Sequence, residues 1–472
     1  MKFCAYRISI LFLLILSLSC KKSFLDVVDN SNLNKQSYVK DLNSMQDYLN
    51  GIYVMISTGH EFYYTAAYPE LVSDNLKPSS ATSPLLLQYN WSQKFDEVNI
   101  NTSTSMNSTW KDLYQIVRAC NFVIEDVDKY AKENPDKAAG IKGQAYAIRA
   151  LVHFRLVNFF AQSYAYTADA SHPGVPYITT SDITKPYTRQ TVAEVYQYMI
   201  DDLNNAMANL PSTTTDCRYF SGPAVKGLLS RVYLFQGDFE NAKKLSIEVA
   251  NQVPLMTISA GYPNDLFKNK SPEQTEVLFQ ATPVAVGGFL GYSLKSAFYH
   301  VATNDIASIL RENSNDVRKN WVKDTTGSRI KVVKFPSSVA GALFPVAEGD
   351  YYSPVLRSSE MFLIAAEASM RTGNENDARM FLNAIRRRAN TTISDVTATG
   401  PALLDSIYKE RRKELCFEGT RMFDLQRWKL GVQRQDVFQG YQSTLLFPDN
   451  KAISPIPGQD VNLMRLSQND GY

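Results

Sequence analysis

The sequence predicts a mainly α-helical fold, a tetratricopeptide-like solenoid of helical hairpins with long irregular loops and a few short strands. The first observation is a helix apolar on two sides. In 143–161, Ala145, Ile148, Val152, Leu156 and Phe159 recur at steps of three and four, while Ala147, Leu151 and Phe154 make a second face. Such a helix packs between neighbours. The second is a repeat: Val225, Leu228, Val232 and Phe235 lead to Gly237, and Met361, Ile364, Ala365 and Ala368 lead to Gly373. A second amphipathic segment follows each glycine, with Ala242 and Ala378 five residues on. The glycine permits a tight turn between helices and the small alanine lets them press together, as in a tetratricopeptide hairpin. The third is what separates the hairpins: 61–107, 167–189, 254–354 and 438–472 lack clear helical period and are rich in Ser, Thr, Asn, Gly, Pro and aromatics. Structureless stretches of that length are uncommon unless functional.

In chain order, an apolar run at 8–18 follows Lys2 and Arg7 and ends in Ser17-Leu18-Ser19-Cys20. This reads as a lipoprotein export signal over 1–19, with Cys20 acylated as the lipid anchor. The run is too short to span a bilayer comfortably, since a spanning helix needs roughly 20 apolar residues. A polar, Asn/Ser-rich tether occupies 20–36, and 37–472 reads as a single helical-repeat domain with ligand-binding insertions. Losing Lys2 and Arg7 takes the formal charge of +2 close to neutrality, which argues against nucleic acid, whose binding needs a clustered positive field. Cys120, Cys217 and Cys416 are scattered and read as small buried apolar residues, giving neither a disulfide framework nor a metal site.

The chain carries no GxxxxGK[ST], HExxH or GxSxG pattern. Its four histidines, His60, His153, His172 and His300, are unpaired at ligand spacing, and His153 reads as a packed residue. Asp201-Asp202 and Asp96-Glu97 read as solvated acids. No catalysis and no cofactor are expected.

Five segments carry a resemblance. Trp110-Lys111-Asp112-Leu113-Tyr114 continues through Ile116, Ala119 and Asn121, and Gln144-Ala145-Tyr146-Ala147-Ile148-Arg149-Ala150 follows. Arg357, Glu360, Leu363 and Ala366-Glu367-Ala368 look like a later Arg-x-x-Glu helix. The most specific stretch is Glu410-Arg411-Arg412-Lys413-Glu414-Leu415-Cys416-Phe417-Glu418-Gly419, then Arg421, Asp424-Leu425 and Arg427-Trp428. The chain closes on Pro455-Ile456-Pro457 and Gln468-Asn469-Asp470-Gly471-Tyr472, with Asp470 where the pattern carries proline. With Cys20, these segments resemble the SusD-like (RagB/SusD) family of surface nutrient-binding lipoproteins. The charged stretch itself reads as structural: Arg411 with Glu414, and Glu418 with Arg421, stand three apart, where opposite charges meet on a helix.

The resemblance implies ligand platforms on an early loop and a middle insertion. Sugar rings stack on aromatic faces and their hydroxyls seek polar side chains. The early stretch supplies Tyr63, Tyr64, Tyr68, Asp74, Asn75, Tyr89 and Trp91; the middle supplies Tyr292, Tyr299 and Trp321 with Arg318 and Asn320. Asp74, Tyr89, Trp91, Tyr292 and Trp321 are the expected ligand contacts. Trp91 and Trp321 stand out because polar residues flank them: Asn90 and Ser92, Asn320 and Lys323. The resemblance further implies a lipid-anchored, surface-exposed protein of the outer membrane. It would bind an oligosaccharide and deliver it to a SusC-like TonB-dependent transporter. An oligopeptide-import subunit and a helical-repeat interaction scaffold are the alternatives.

Overall fold

A computed structural model describes residues 38–57, 59–95, 106–213, 216–263, 266, 276–281, 300–325, 327, 329–335 and 353–472. The export signal, Cys20 and the tether lie outside them.

The helices α1 (Leu42–Ser57), α2 (Gly59–Leu71), α3 (Leu86–Tyr89), α4 (Met106–Asp126), α5 (Pro135–Phe160), α6 (Val192–Met207), α7 (Gly222–Gln236) and α8 (Phe239–Gln252) make the first half. The second half holds α9 (Asn304–Arg311), α10 (Ser358–Arg371), α11 (Glu375–Ala389), α12 (Gly400–Leu415), α13 (Arg421–Arg427) and α14 (Gly458–Met464). Successive long helices pack against one another: α4 with α5, α5 with α6, α7 with α8, and α10 with α11. The two hairpins fall where the sequence puts them, with Gly237 and Gly373 at φ of 87° and 81°. An L side chain is disfavoured in that left-handed region. Ala242 and Ala378 are fully buried. The shared face spans both halves, since α8 packs on α10 and so joins the two hairpins into one stack. A solenoid gains its core this way, because no single hairpin buries its apolar face alone.

Strands are short. A four-stranded antiparallel sheet runs β1 (Leu76–Pro78), β3 (His300–Ala302), β5 (Arg329–Val332), β4 (Val322–Thr325). Two further pairs are β2 (Val277–Ala281) with β6 (Ser353–Arg357), and β7 (Val432–Gln433) with β8 (Thr444–Leu445). Among the described residues no helix is long and apolar enough to cross a membrane.

Two local expectations change. The 61–107 stretch holds a helix, α2, that lacked a visible period because residues 65–71 are all buried, so no polar face marks its turns. In the charged C-terminal stretch the bracing role holds, and Asp424 meets Arg427 three residues on at 2.8 Å, but the other partners are distant. Arg411 pairs with Asp424 at 2.8 Å, Arg421 with Asp74 at 2.8 Å, and Glu418 with Lys334 at 2.6 Å and Arg357 at 2.7 Å. Glu414 accepts hydrogen bonds from Arg357 and Arg388 at 2.6 Å each, from Arg318 at 3.0 Å and from Tyr262 at 3.1 Å. Glu276 takes the same Arg357 and Arg388 from the other side at 2.9 and 2.7 Å. Burial opposes the charge of Glu414, but the guanidiniums around it outweigh that and hold its carboxyl well below the usual range. This network clamps β2, β6, α11 and α12 together.

The motif glycine is fixed by a close approach. A Cβ on Gly419 would stand 2.7 Å from the Thr65 carbonyl oxygen, and its φ is 83°. Glu70 of α2 then accepts the backbone N–H groups of Phe417, Gly419, Thr420 and Arg421 at 2.9–3.2 Å. Asp202 also departs from a solvated role: it is buried and receives both arms of Arg149 at 2.6 and 2.7 Å, with the Tyr177 hydroxyl at 2.6 Å. His153 is packed as expected, its Nδ1 against the Arg149 carbonyl and its ring stacked on Tyr177 at 3.8 Å. Cys120, Cys217 and Cys416 are free and buried.

Candidate functional site

The early and middle regions meet. β1 pairs with β3 in the register Leu76 to Ala302 and Pro78 to His300, and Thr303 donates to the Asp74 carbonyl at 2.8 Å. Yet Asp74, Tyr89, Trp91 and Trp321, four of the five side chains expected to contact ligand, are internal. Tyr89 and Trp91 are buried on either side of Arg434, whose guanidinium carbon lies 3.9 Å from each ring centroid. Arg434 spends its donors on the carbonyls of Leu71, Ser73, Tyr89 and Gln442, and the Trp91 indole donates to the Val72 carbonyl at 3.0 Å. Asp74 is buried too. Burial disfavours its charge, but Arg421 and Arg412 outweigh that and hold the carboxyl below the usual range.

Trp321 is fully buried, edge-on to Tyr262 at 6.3 Å, with the Lys334 ammonium 4.0 Å from its ring centroid. Arg318, Asn75 and Tyr68 are likewise buried and bonded within the chain. Tyr292 and Tyr299, and the side chains of Tyr63 and Tyr64, lie outside the described residues. The correction has a simple cause. Asn320 and Lys323 are exposed because the backbone turns them outward, and the same geometry turns Trp321 in. A polar neighbour in sequence marks a surface turn, not the direction of the aromatic beside it.

An open groove of about 810 Å³ lies elsewhere, between α4, the irregular strap 177–190 and α14. One wall is a single face of α4, where Trp110, Lys111, Tyr114, Gln115 and Arg118 follow at helical spacing. The strap is stapled along this helix. The Tyr114 hydroxyl donates to the Pro176 carbonyl at 2.8 Å, the Asn121 amide to those of Ile178 and Thr180 at 2.9 and 3.0 Å, and Arg118 Nε to that of Ser181 at 3.1 Å. Thr191 and Glu194 close a capping box that ends the strap and starts α6. Arg189 ties the strap to the C-terminal segment through the Ser467 carbonyl and Asn469 Oδ1 at 2.8 Å each.

The groove is amphipathic. Ile183 and Leu463 line it while 65% and 67% exposed, the hydroxyls and amides of Thr179, Thr188 and Gln459 edge it, and Tyr114 and Tyr187 are half-buried in its walls. Asp460 of α14 accepts the Tyr187 hydroxyl at 2.5 Å and the Trp110 indole N–H. Burial raises the Asp460 carboxyl, and these two neutral donors only partly offset it. These residues escaped the sequence reading, although two of the four aperiodic stretches, 167–189 and 438–472, supply most of the groove. Trp110 and Tyr114 were visible there as motif residues only.

The fold is a helical-repeat frame that carries this open, amphipathic groove on its surface. Residues 23–234 match a family described as starch-binding and associating with the outer membrane, and residues 259–472 match the SusD family. The chain belongs to the SusD-like family, whose members are glycan-binding proteins of nutrient uptake. It is 22% identical to SusD-like protein P2 of Formosa agariphila over 99% of both chains. It is 33% identical to the starch-binding protein SusD of Bacteroides thetaiotaomicron over 27% of this chain and 23% of that one. A SusD superfamily structure from Bacteroides thetaiotaomicron shares the fold, with a TM-score of 0.80 at 24% identity, covering 91% of this chain and 100% of that one.

Proposed function

We propose that the protein captures oligosaccharides at the outer-membrane surface, anchored by a lipid on Cys20, and passes them to a SusC-like TonB-dependent transporter. The single domain over 37–472 does the binding, and the groove between α4, the strap and α14 is its ligand site. The observation that carries this reading is the groove's size and lining. Its volume of about 810 Å³ falls in the range of ligand sites, roughly 300–1,000 Å³. Tyr114, Tyr187, Ile183 and Leu463 offer apolar faces for sugar rings, and Gln115, Thr179, Thr188 and Gln459 offer partners for their hydroxyls. The family match supports the ligand class, and the transporter partner follows from that likeness.

The test is calorimetry on a soluble form beginning after Cys20, against panels of glycans and peptides, with Gln115→Trp and Leu463→Arg as groove-filling variants. Saturable glycan binding weakened at least about tenfold in both variants supports the reading. Peptide binding in place of glycan, or glycan binding indifferent to both variants, overturns the ligand class or the site. Cys20→Ala should move the full-length protein from the membrane to the soluble fraction.

A further inference from the structure

At one end of the groove Asp460 of α14 stands beside aromatic side chains. The carboxylate is held by the Tyr187 hydroxyl at 2.5 Å and by the Trp110 indole, both neutral. Aromatic rings surround it: Tyr114 and Tyr187 line the same wall region, and Tyr114 packs on Trp110 with centroids 4.7 Å apart. Arg189 is committed to the carbonyls of Pro173, Gly174 and Ser467 and to Asn469. Arg118 is bonded to the Ser181 carbonyl two turns along α4 from Trp110. Lys111 and Lys185 line the groove as exposed side chains, flexible point charges that can turn to solvent, and Lys185 acts on Asp182 of the strap. A carboxylate short of positive charge among aromatic faces suits an ammonium group, which gains an ion pair and cation–π contact together.

We propose that the groove takes a glycan bearing an unsubstituted amino group, its ammonium seated on Asp460 against the rings of Tyr114 and Tyr187. This rests on the groove being the glycan site and adds the substituent it selects. The raised carboxyl of Asp460 agrees with it, because a bound ammonium supplies the compensation that the two neutral donors do not.

Three β-linked tetramers separate the possibilities by calorimetry on the soluble protein: glucosamine, N-acetylglucosamine and cellotetraose, which differ at one ring position. A free-amino tetrapeptide and its acetylated form run alongside. The glucosamine tetramer should bind at least about tenfold tighter than the other two sugars. Asp460→Asn should bring it down to the level at which the same variant binds the other two sugars. Tyr187→Phe, which keeps the carboxylate but removes one donor, should preserve the preference and serves if Asp460→Asn folds poorly. Equal binding of all three sugars, sensitive to Gln115→Trp, overturns the amino preference and leaves the glycan groove standing. Asp460-dependent binding of the free-amino peptide with no sugar binding overturns both. A preference for the glucosamine tetramer that survives Asp460→Asn overturns the assignment of the ammonium to this carboxylate.

Discussion

Arg434 and Asp460 are both charged groups set between aromatic rings, Tyr89 and Trp91 for the first, Trp110 and Tyr187 for the second. Arg434 is closed off: four backbone carbonyls take its donors and both rings are buried. Asp460 faces an open groove with two neutral partners. A cation whose donors the chain itself satisfies thus braces the fold, whereas in the proposed reading a carboxylate left on an open groove is available for ligand. The deciding property is whether the chain itself satisfies the charge.

The largest effect should come from opening the closed cluster. Arg434→Ala would strand buried carbonyls and leave a void between two rings, costing about 3–5 kcal/mol in denaturant unfolding. Trp91→Ala should cost about 3 kcal/mol by cavity formation, whereas Trp91→Phe, which keeps most of the packing, should leave glycan affinity within about twofold. Loss of glycan binding in a well-folded Trp91→Phe protein would erase the distinction between the two sites.

Acid probes the closed parts of the molecule next. Burial pushes His153 down to about 3 from 6.5, so the unfolded chain takes up its proton first as pH falls. Stability is full above pH 6.5 and declines toward pH 3, by at most about 1.4 kcal/mol per pH unit for this group. Glu414, also depressed, adds a loss that starts below its ordinary 4.5. A pH series of urea unfolding should show this slope, and His153→Phe should flatten its upper part.

The smallest stability effect belongs to the open site. Asp460 has a raised carboxyl, so its charge opposes folding as pH rises above the ordinary 3.8. Asp460→Asn should therefore change stability at neutral pH by less than about 1 kcal/mol, and toward greater stability. A large destabilisation would make Asp460 another brace.

How far the sequence carried the reading follows the same division. Local signals were legible: Gly237 and Gly373 with Ala242 and Ala378, the two-faced α5, the buried cysteines, and the packed His153. Relations across the chain were not. Arg421 finds Asp74 and Arg357 finds Glu276 and Glu414 over distances in sequence that no spacing rule reaches. The expectation that Trp91 and Trp321 stand exposed failed for a related reason. Exposure of Trp91 or Trp321 depends on what packs over the ring, while their polar neighbours report only a nearby surface. The groove was legible as two aperiodic stretches, but their joining along one face of α4 is a tertiary fact.

The central claim is that glycan occupies the groove and not the buried early and middle aromatics. Hydrogen–deuterium exchange with the tightest glycan of the panel at saturation tests it most directly. Slowed exchange should concentrate in peptides covering 177–190 and 457–464, with 85–95 and 300–335 unchanged. Protection confined to 85–95 and 300–335, with none along the strap and α14, would contradict it.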